Sequence, residues 1–290
     1  QPIHLDQAKK FEKIWIVACG TAYHAGLFGK DLFEKVLGVP VSVELASEFR
    51  YREPIIGKND LAIVISQSGE TMDTIAATEL LKENGSHVLA LVNVVGSSLA
   101  RMADSVFYLH VGPEIGVAST KAYLGMLVGQ LLLAKHWDSN NKLDTSLEEI
   151  KALPSLIEEA LKCEDQVKEI SKLIYKKKDI YFIGRGLDYA LAAEGALKLK
   201  EISYLHAEAL AAGELKHGTL ALIEEGTPVI VTASQRHLLD KTTSNVQEVI
   251  ARGAYVIAVG DVSSKKLKDI SNNYIAPVSY THLTLPTRSY

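Results

Sequence analysis

Leu61-Ala-Ile-Val-Ile-Ser-Gln-Ser-Gly-Glu-Thr71 opens with five apolar residues, three of them β-branched, and then becomes polar. An unbroken apolar run of this length predicts a strand that is buried on both faces, as in a parallel sheet. After Gly69, apolar residues recur at helical spacing as far as Glu83, which predicts a helix just beyond the turn. The order strand, turn, helix is typical of an α/β fold.

The turn between this strand and helix carries hydroxyl groups at Ser66, Ser68 and Thr71 and an amide at Gln67. Together with the free backbone N–H groups of a helix N-terminus, these groups suit a phosphate. The turn contains no lysine and lacks the spacing of a nucleotide P-loop, which favours a phosphorylated small molecule over ATP. The alternative is that the Ser and Thr side chains only cap the helix, and the local pattern leaves both open.

The rest of the first half continues the alternation of strands and helices. Strands are predicted at 14–20, 41–45, 88–92 and 105–109, and helices at 23–36, 97–102 and 121–137. This order indicates a parallel sheet flanked by helices. The helix at 121–137 is hydrophobic on most of its surface, so we expect it to be buried between domains or subunits.

The second half of the chain repeats the first at an offset of 166 residues. The matching pairs are Gly20 with Gly186, Glu48 with Glu214, and Ser66 with Thr232. Chance similarity of apolar strands is the alternative, but it does not explain matched Gly and Glu residues, so a duplicated domain is favoured. We place the first domain at residues 1–140 and the second at 141–276. The second copy has Ala-Ser-Gln-Arg at 233–236 in place of Gln-Ser-Gly-Glu, so it lacks the glycine of the turn.

Net charge and composition argue against several kinds of partner and cofactor. A net charge of −4 gives no reason to expect a nucleic acid or an acidic membrane surface as a partner. The apolar runs are too short to span a bilayer and no signal peptide is evident, so we expect a cytoplasmic protein. Two cysteines far apart and scattered histidines predict neither a disulfide framework nor a metal site, and no cofactor is implied.

Six stretches resemble the double sugar isomerase (SIS) domain half of glucosamine-6-phosphate synthase. They are Cys19-Gly-Thr, Glu44-Leu-Ala-Ser-Glu-Phe-Arg-Tyr-Arg52, Ser66-Gln-Ser-Gly-Glu-Thr71, Glu114-Ile-Gly-Val-Ala-Ser-Thr-Lys121, Glu194-Gly-Ala-Leu-Lys-Leu-Lys-Glu-Ile-Ser-Tyr204 and Gly213-Glu-Leu-Lys-His-Gly218. They occur in the family's order over residues 10 to 275. The resemblance implies two tandem SIS domains, each a parallel β-sheet flanked by helices in a flavodoxin-like three-layer sandwich.

The family's reaction is implied with the fold. It converts fructose 6-phosphate to glucosamine 6-phosphate for amino-sugar, UDP-GlcNAc and cell-wall precursor synthesis, and isomerisation without ammonia would give glucose 6-phosphate. The ammonia comes from glutamine through an N-terminal amidotransferase domain. The sequence has no N-terminal cysteine nucleophile, so we expect this chain alone not to hydrolyse glutamine. A sugar-phosphate-binding regulatory protein without turnover, and a deglycase or isomerase of another amino-sugar phosphate, remain as alternatives.

The resemblance also implies site residues. It assigns the phosphate to Ser66, Gln67, Ser68 and Thr71, and the sugar chain to Cys19, Gly20, Thr21, Val117 and Ser119. A buried small hydrophobe is the alternative for Cys19.

For catalysis the resemblance implies Glu201 as the base between C1 and C2. Lys198 would orient the substrate or stabilise negative charge, with Glu194 on the same helix face. His217 would open the sugar ring, and in the family it reaches the site from the neighbouring subunit, which implies a homodimer. A solvated helix face and a structural histidine are the alternatives.

Residues 277–290 depart from the family. They lack helical periodicity, contain Pro277 and Pro286 and include no lysine, whereas the family has a final helix and an Ala-Lys pair that closes over the sugar. We therefore exclude this tail from the fold and expect substrate binding with slow or absent turnover.

Overall fold

The computed structural model describes Ala8 and residues 10–278. These residues form two five-stranded parallel sheets in two compact units, with the division between Leu143 and Asp144. The predicted fold, two tandem α/β domains with parallel sheets flanked by helices, is confirmed. The prediction of a foreign tail falls mostly on residues 279–290, which lie outside the described residues.

The sheet of the first unit has the strand order β2-β1-β3-β4-β5. Its strands are Lys13–Ala18 (β1), Val41–Leu45 (β2), Asp60–Ser66 (β3), His87–Val92 (β4) and Ser105–Tyr108 (β5). Its helices are Gly20–Leu37, Ala46–Phe49, Met72–Glu83, Ser98–Met102 and Lys121–Trp137. Every residue of β3 is buried, as its apolar run predicts. Successive strands are added on one side of β1 (β2) and then on the other (β3, β4, β5), so the strand order reverses between β1 and β3. The carboxyl ends of the strands at such a switch point form a ligand-binding crevice.

Helices cover both faces of this sheet. On one face Val17, Val64 and Ala90 pack with Ala77 and Leu81 of the helix Met72–Glu83. On the other face the helices Gly20–Leu37 and Lys121–Trp137 pack together. This arrangement is the predicted three-layer sandwich.

The helix Lys121–Trp137 buries one part of its surface inside its own unit, and its expected burial between domains or subunits stays a prediction for the remainder. The helix packs on Gly20–Leu37 of the same unit, where Gln130 Nε2 donates to Ala25 O at 2.8 Å. The rings of Trp137 and Phe33 pack at a tilt of 49°, with their centroids 5.4 Å apart. Apolar periodicity measures how much of a helix is buried and does not identify the surface that buries it.

The second unit repeats this topology, with the strand order β7-β6-β8-β9-β10. Its strands are Asp179–Gly184 (β6), His206–Ala211 (β7), Pro228–Ala233 (β8), Tyr255–Gly260 (β9) and Asn273–Ile275 (β10). Its α-helices are Leu147–Lys151, Leu153–Leu161, Glu164–Ile174, Leu187–Ser203, Leu239–Ile250 and Lys265–Ile270, and its 3-10 segments are Ala212–His217, Thr219–Leu222 and Arg236–Leu238. Gly20 and Gly186 both have φ of 54°, so the repeat extends to the backbone conformation between first strand and first helix. The predicted duplication is confirmed.

Candidate functional site

A cavity of about 220 Å³ lies at the carboxyl ends of β1 and β3, at the switch point of the first sheet. Its lining residues are Cys19, Thr21, Ala22, Ile65, Ser66, Gln67, Ser68, Thr71, Thr74, Ser119 and Met126. The structure thus brings seven of the nine sequence-predicted binding residues to one cavity, from three separate segments of the chain.

The hydroxyl groups of the turn converge on this cavity. Ser66 Oγ accepts a hydrogen bond from Gly69 N at 3.0 Å and lies 3.4 Å from Thr71 Oγ1. Ser68 Oγ accepts from Glu70 N at 3.2 Å. Thr71 occupies the N-cap position of the helix Met72–Glu83, yet its side chain makes no capping hydrogen bond within the described part of the chain. The capping alternative therefore does not account for Thr71, whose hydroxyl faces Ser66 Oγ at the cavity.

The turn is held in shape by contact with the residues after β4. Gly69 has φ of 67°, and a Cβ there would overlap Ser97 Oγ and lie 2.6 Å from Ser97 Cβ. Ser98 N donates to Glu70 Oε1 at 2.8 Å, and hydrogen bonds from Ser98 lower the pKa of the Glu70 carboxyl. The glycine is thus required both by backbone conformation and by space.

Two of the predicted binding residues lie outside the set that lines the cavity. Gly20 starts the helix Gly20–Leu37 with a positive φ, next to Cys19. Val117 is 94% exposed, so its side chain faces away from the protein in this structure. Its assignment to the sugar chain stays a prediction.

Sequence reasoning missed four lining residues: Ala22, Ile65, Thr74 and Met126. Thr74 is buried one turn into the helix Met72–Glu83, and its Oγ1 lies 3.9 Å from Cys19 Sγ. The position of Thr74 one turn after Thr71 was a usable signal, because residues three apart share a helix face. Met126 could not be found in this way, since only the tertiary fold brings its helix to the strand ends.

A wider cavity of about 540 Å³ shares Gln67 with the first one and is otherwise lined by Asn93, Val94, His110, Gly112, Pro113 and Glu114. Glu114 also orders the chain near the first cavity. Its Oε2 accepts from Ala122 N at 2.9 Å and from Ser119 Oγ at 3.4 Å. The carboxylate therefore holds Ser119 beside the start of the helix Lys121–Trp137.

In the second unit, Glu194, Lys198 and Glu201 form one cluster on the helix Leu187–Ser203. Lys198 Nζ donates to Glu201 Oε2 at 2.5 Å and lies 3.4 Å from Glu194 Oε1. The Glu194 side chain is only 5% exposed, whereas that of Glu201 is 29% exposed. Glu194 therefore serves as a buried partner for Lys198, and Glu201 is the carboxylate that a small molecule can reach from solvent.

His217 is the last residue of the 3-10 segment Ala212–His217 and is exposed. The segment is anchored by buried Leu215 and by the ion pair between Lys216 Nζ and Glu248 Oε1 at 2.9 Å. The predicted ring-opening role of His217 stays a prediction.

Two other kinds of feature, a metal site and a membrane span, are absent from the described residues. Residues 10–278 and Ala8 include no group of three or more His, Cys, Asp or Glu side chains placed to hold a metal ion. No helix in this part of the chain combines the length and the apolar surface needed to cross a bilayer.

A parallel sheet with order 2-1-3-4-5, duplicated in tandem, and a hydroxyl-lined turn at its switch point define a doubly wound α/β protein with a candidate ligand site. In agreement, the SIS domain family model matches residues 7–135 and 173–284. The chain belongs to the SIS domain family.

Individual relatives agree with the predicted resemblance. The chain is 49% identical to glutamine–fructose-6-phosphate aminotransferase (isomerizing) of Clostridium acetobutylicum, over 100% of the chain and 50% of that protein. It is 52% identical to the enzyme of the same name from Clostridium tetani, over 91% of the chain and 45% of that protein. The chain thus spans about half the length of these relatives.

A solved structure shows which part of such a protein the chain matches. The C-terminal domain of glucosamine-fructose-6-phosphate aminotransferase from Francisella tularensis superposes with a TM-score of 0.87 at 43% identity, covering 93% of this chain and 78% of that one. The predicted resemblance to the isomerase half is confirmed.

The turn hydroxyls give a first test of the site. On the prediction that this turn holds the phosphate of fructose 6-phosphate, replacing Ser68 and Thr71 together by Ala is expected to weaken its binding by about 1–3 kcal/mol, because two hydrogen-bond donors would be lost. Isothermal titration calorimetry measures the change. Ser47→Ala is the matched control, since its hydroxyl contacts only Glu48 at the surface among the described residues. Equal affinity of the double variant and the control would show that the phosphate does not bind at this turn.

Proposed function

We propose that this chain is the sugar-phosphate isomerase part of a glutamine–fructose-6-phosphate aminotransferase. In this proposal it binds fructose 6-phosphate and catalyses ketose/aldose isomerisation towards glucosamine 6-phosphate. The observation that carries the proposal is the open, hydroxyl-lined cavity at the switch point of the first sheet. The identity to relatives of that name over most of the chain supports it.

The roles in this proposal follow from the chemistry of each group. The turn hydroxyls and the free N–H groups of the helix Met72–Glu83 would hold the phosphate. Glu201 would carry the proton between C1 and C2 of the open-chain sugar, because a carboxylate at a partly exposed position can reach both the substrate and its own lysine partner. Lys198 is shared by two carboxylates, so we propose that it fixes the Glu201 side chain. A homodimer with His217 at the neighbouring site, and a cytoplasmic location, are proposed from the resemblance.

Product analysis tests the proposal and separates its alternatives. The chain is incubated with fructose 6-phosphate, with and without ammonium, and the products are identified by nuclear magnetic resonance. Glucose 6-phosphate, or glucosamine 6-phosphate when ammonium is present, is expected. Binding without any product would favour the regulatory alternative. Release of ammonia from another amino-sugar phosphate, with fructose 6-phosphate untouched, would favour the deglycase.

A further inference from the structure

The second unit contains its own version of the phosphate turn, and a carboxylate of the chain is bound in it. Asp188 Oδ1 accepts from Ser234 Oγ at 2.7 Å and from Ser234 N at 3.1 Å. Asp188 Oδ2 accepts from Ser234 N at 3.0 Å and from Gln235 N at 3.3 Å. Asp188 is only 2% exposed. This turn is therefore an anion-binding site, and its ligand is a side chain of the same unit.

The repeat identifies the corresponding residues in the first unit. At the offset of 166, Asp188 matches Ala22 and Ser234 matches Ser68. The glycines two residues before Ala22 and Asp188 share the same positive φ, and the two helices begin within one residue of each other in the repeat, at Gly20 and at Leu187. Ala22 and Ser68 both line the cavity at the switch point. A carboxylate at position 22 would accordingly aim at Ser68 as Asp188 aims at Ser234.

We propose that this helix position decides whether an SIS turn binds an external phosphate. In the first unit the methyl group of Ala22 leaves the turn open. In the second unit Asp188 occupies the turn, satisfies its donors and would repel a second anion. The part of this inference that concerns Ala22 rests on the proposed function of the first unit, and the part that concerns Asp188 does not.

The two turns also differ in ways that affect the expected affinity. Thr232 Oγ1, which matches Ser66 Oγ, donates to Asp188 O at 2.7 Å and is therefore engaged with the backbone. Gln235 has φ of −87° where Gly69 has 67°, so the second turn has another shape. A second site opened by removing the Asp188 carboxylate should therefore bind phosphate more weakly than the first.

Counting phosphate sites in four proteins tests the proposal. Inorganic phosphate is titrated into the chain, Ala22→Asp, Asp188→Ala and the double variant, and bound phosphate is measured by equilibrium dialysis. We expect one site in the unaltered chain, none in Ala22→Asp, two in Asp188→Ala, and one in the double variant. Asp188→Asn is the control for Asp188→Ala, because the amide keeps the turn filled and should give no new site. Ala22→Asn separates the effect of charge from that of size.

The folding of each variant is checked by circular dichroism. A folded Ala22→Asp that binds phosphate as the unaltered chain does, or a folded Asp188→Ala without an additional site, would overturn the proposal. If Asp188→Ala is too unstable for dialysis, its melting temperature is compared in phosphate and in chloride at equal ionic strength. A larger rise in phosphate than the unaltered chain shows supports the proposal, and an equal rise overturns it. Should the unaltered chain bind no phosphate while Asp188→Ala binds one, the proposed function of the first unit fails and the inference about Asp188 stands.

Discussion

Replacing Glu201 by Gln is expected to lower the rate of proton transfer by about 10²–10⁴-fold, the contribution of a positioned general base. The amide keeps the shape of the side chain and can still accept the hydrogen bond from Lys198, but it cannot take a proton from carbon. The fold should be unaffected, because Lys198 retains its contact with Glu194. Affinity for fructose 6-phosphate should change little, since the phosphate is assigned to the other unit.

Deuterium exchange at C1 of fructose 6-phosphate in D₂O measures this step directly, even when net turnover is slow. Glu208→Gln is the matched control, because Glu208 is an exposed glutamate of the same unit outside the Lys198 cluster. Glu208→Gln should exchange at the rate of the unaltered chain. Exchange at that same rate in Glu201→Gln would show that another group is the base.

Replacing Gly69 by Ala is expected to destabilise the turn by about 2–5 kcal/mol. A left-handed conformation costs a residue with a Cβ about 1–2 kcal/mol. The overlap with the buried Ser97 side chain adds about 1–3 kcal/mol, the usual cost of overpacking. Because we assign the phosphate to the hydroxyl groups of this turn, we expect fructose 6-phosphate binding to fall together with stability.

Two further variants separate the backbone cost from the cost of the overlap with Ser97, and denaturant titrations measure both. Gly96→Ala is the control, because Gly96 has φ of 72° and open space where a Cβ would stand. It should show the backbone cost without the overlap. Adding Ser97→Gly to Gly69→Ala removes the overlapping side chain and should recover about 1–3 kcal/mol. A Gly69→Ala protein no less stable than Gly96→Ala would mean that the turn has another conformation.

The strands of the first sheet could be predicted because a buried strand is a run of adjacent apolar residues in the sequence. The apolar run 61–65 gives β3 to within one residue at each end. Its first residue, Asp60, could not be predicted, because a buried carboxylate requires partners that the sequence does not reveal. Asp60 Oδ2 accepts from Trp15 Nε1 and from Gly57 N, both at 2.8 Å, and Trp15 lies 45 residues away.

The residues of the site likewise fall into two groups, those that the sequence predicts and those that only the fold brings together. Ser66, the last residue of β3, could be predicted because an apolar strand that runs into a polar turn places that turn at the carboxyl edge of a parallel sheet, whereas Cys19 was assigned from the resemblance. Ser119 lies in a loop and was predicted only by the resemblance. Asp188 was overlooked although the offset of 166 aligns it with Ala22. The sequence alignment alone gives this aspartate no role. Its role follows from the fold, which places the carboxylate against the backbone N–H groups of Ser234 and Gln235.

The most direct test of the proposed phosphate site is a crystal structure of the chain with fructose 6-phosphate. The phosphate is predicted to lie in the first unit, with its oxygens at hydrogen-bond distance, about 2.6–3.2 Å, from the hydroxyls of Ser66, Ser68 and Thr71. Asp188 should remain bound to Ser234 in the same crystal. A phosphate bound anywhere else, with the cavity at the ends of β1 and β3 empty, would contradict the assignment.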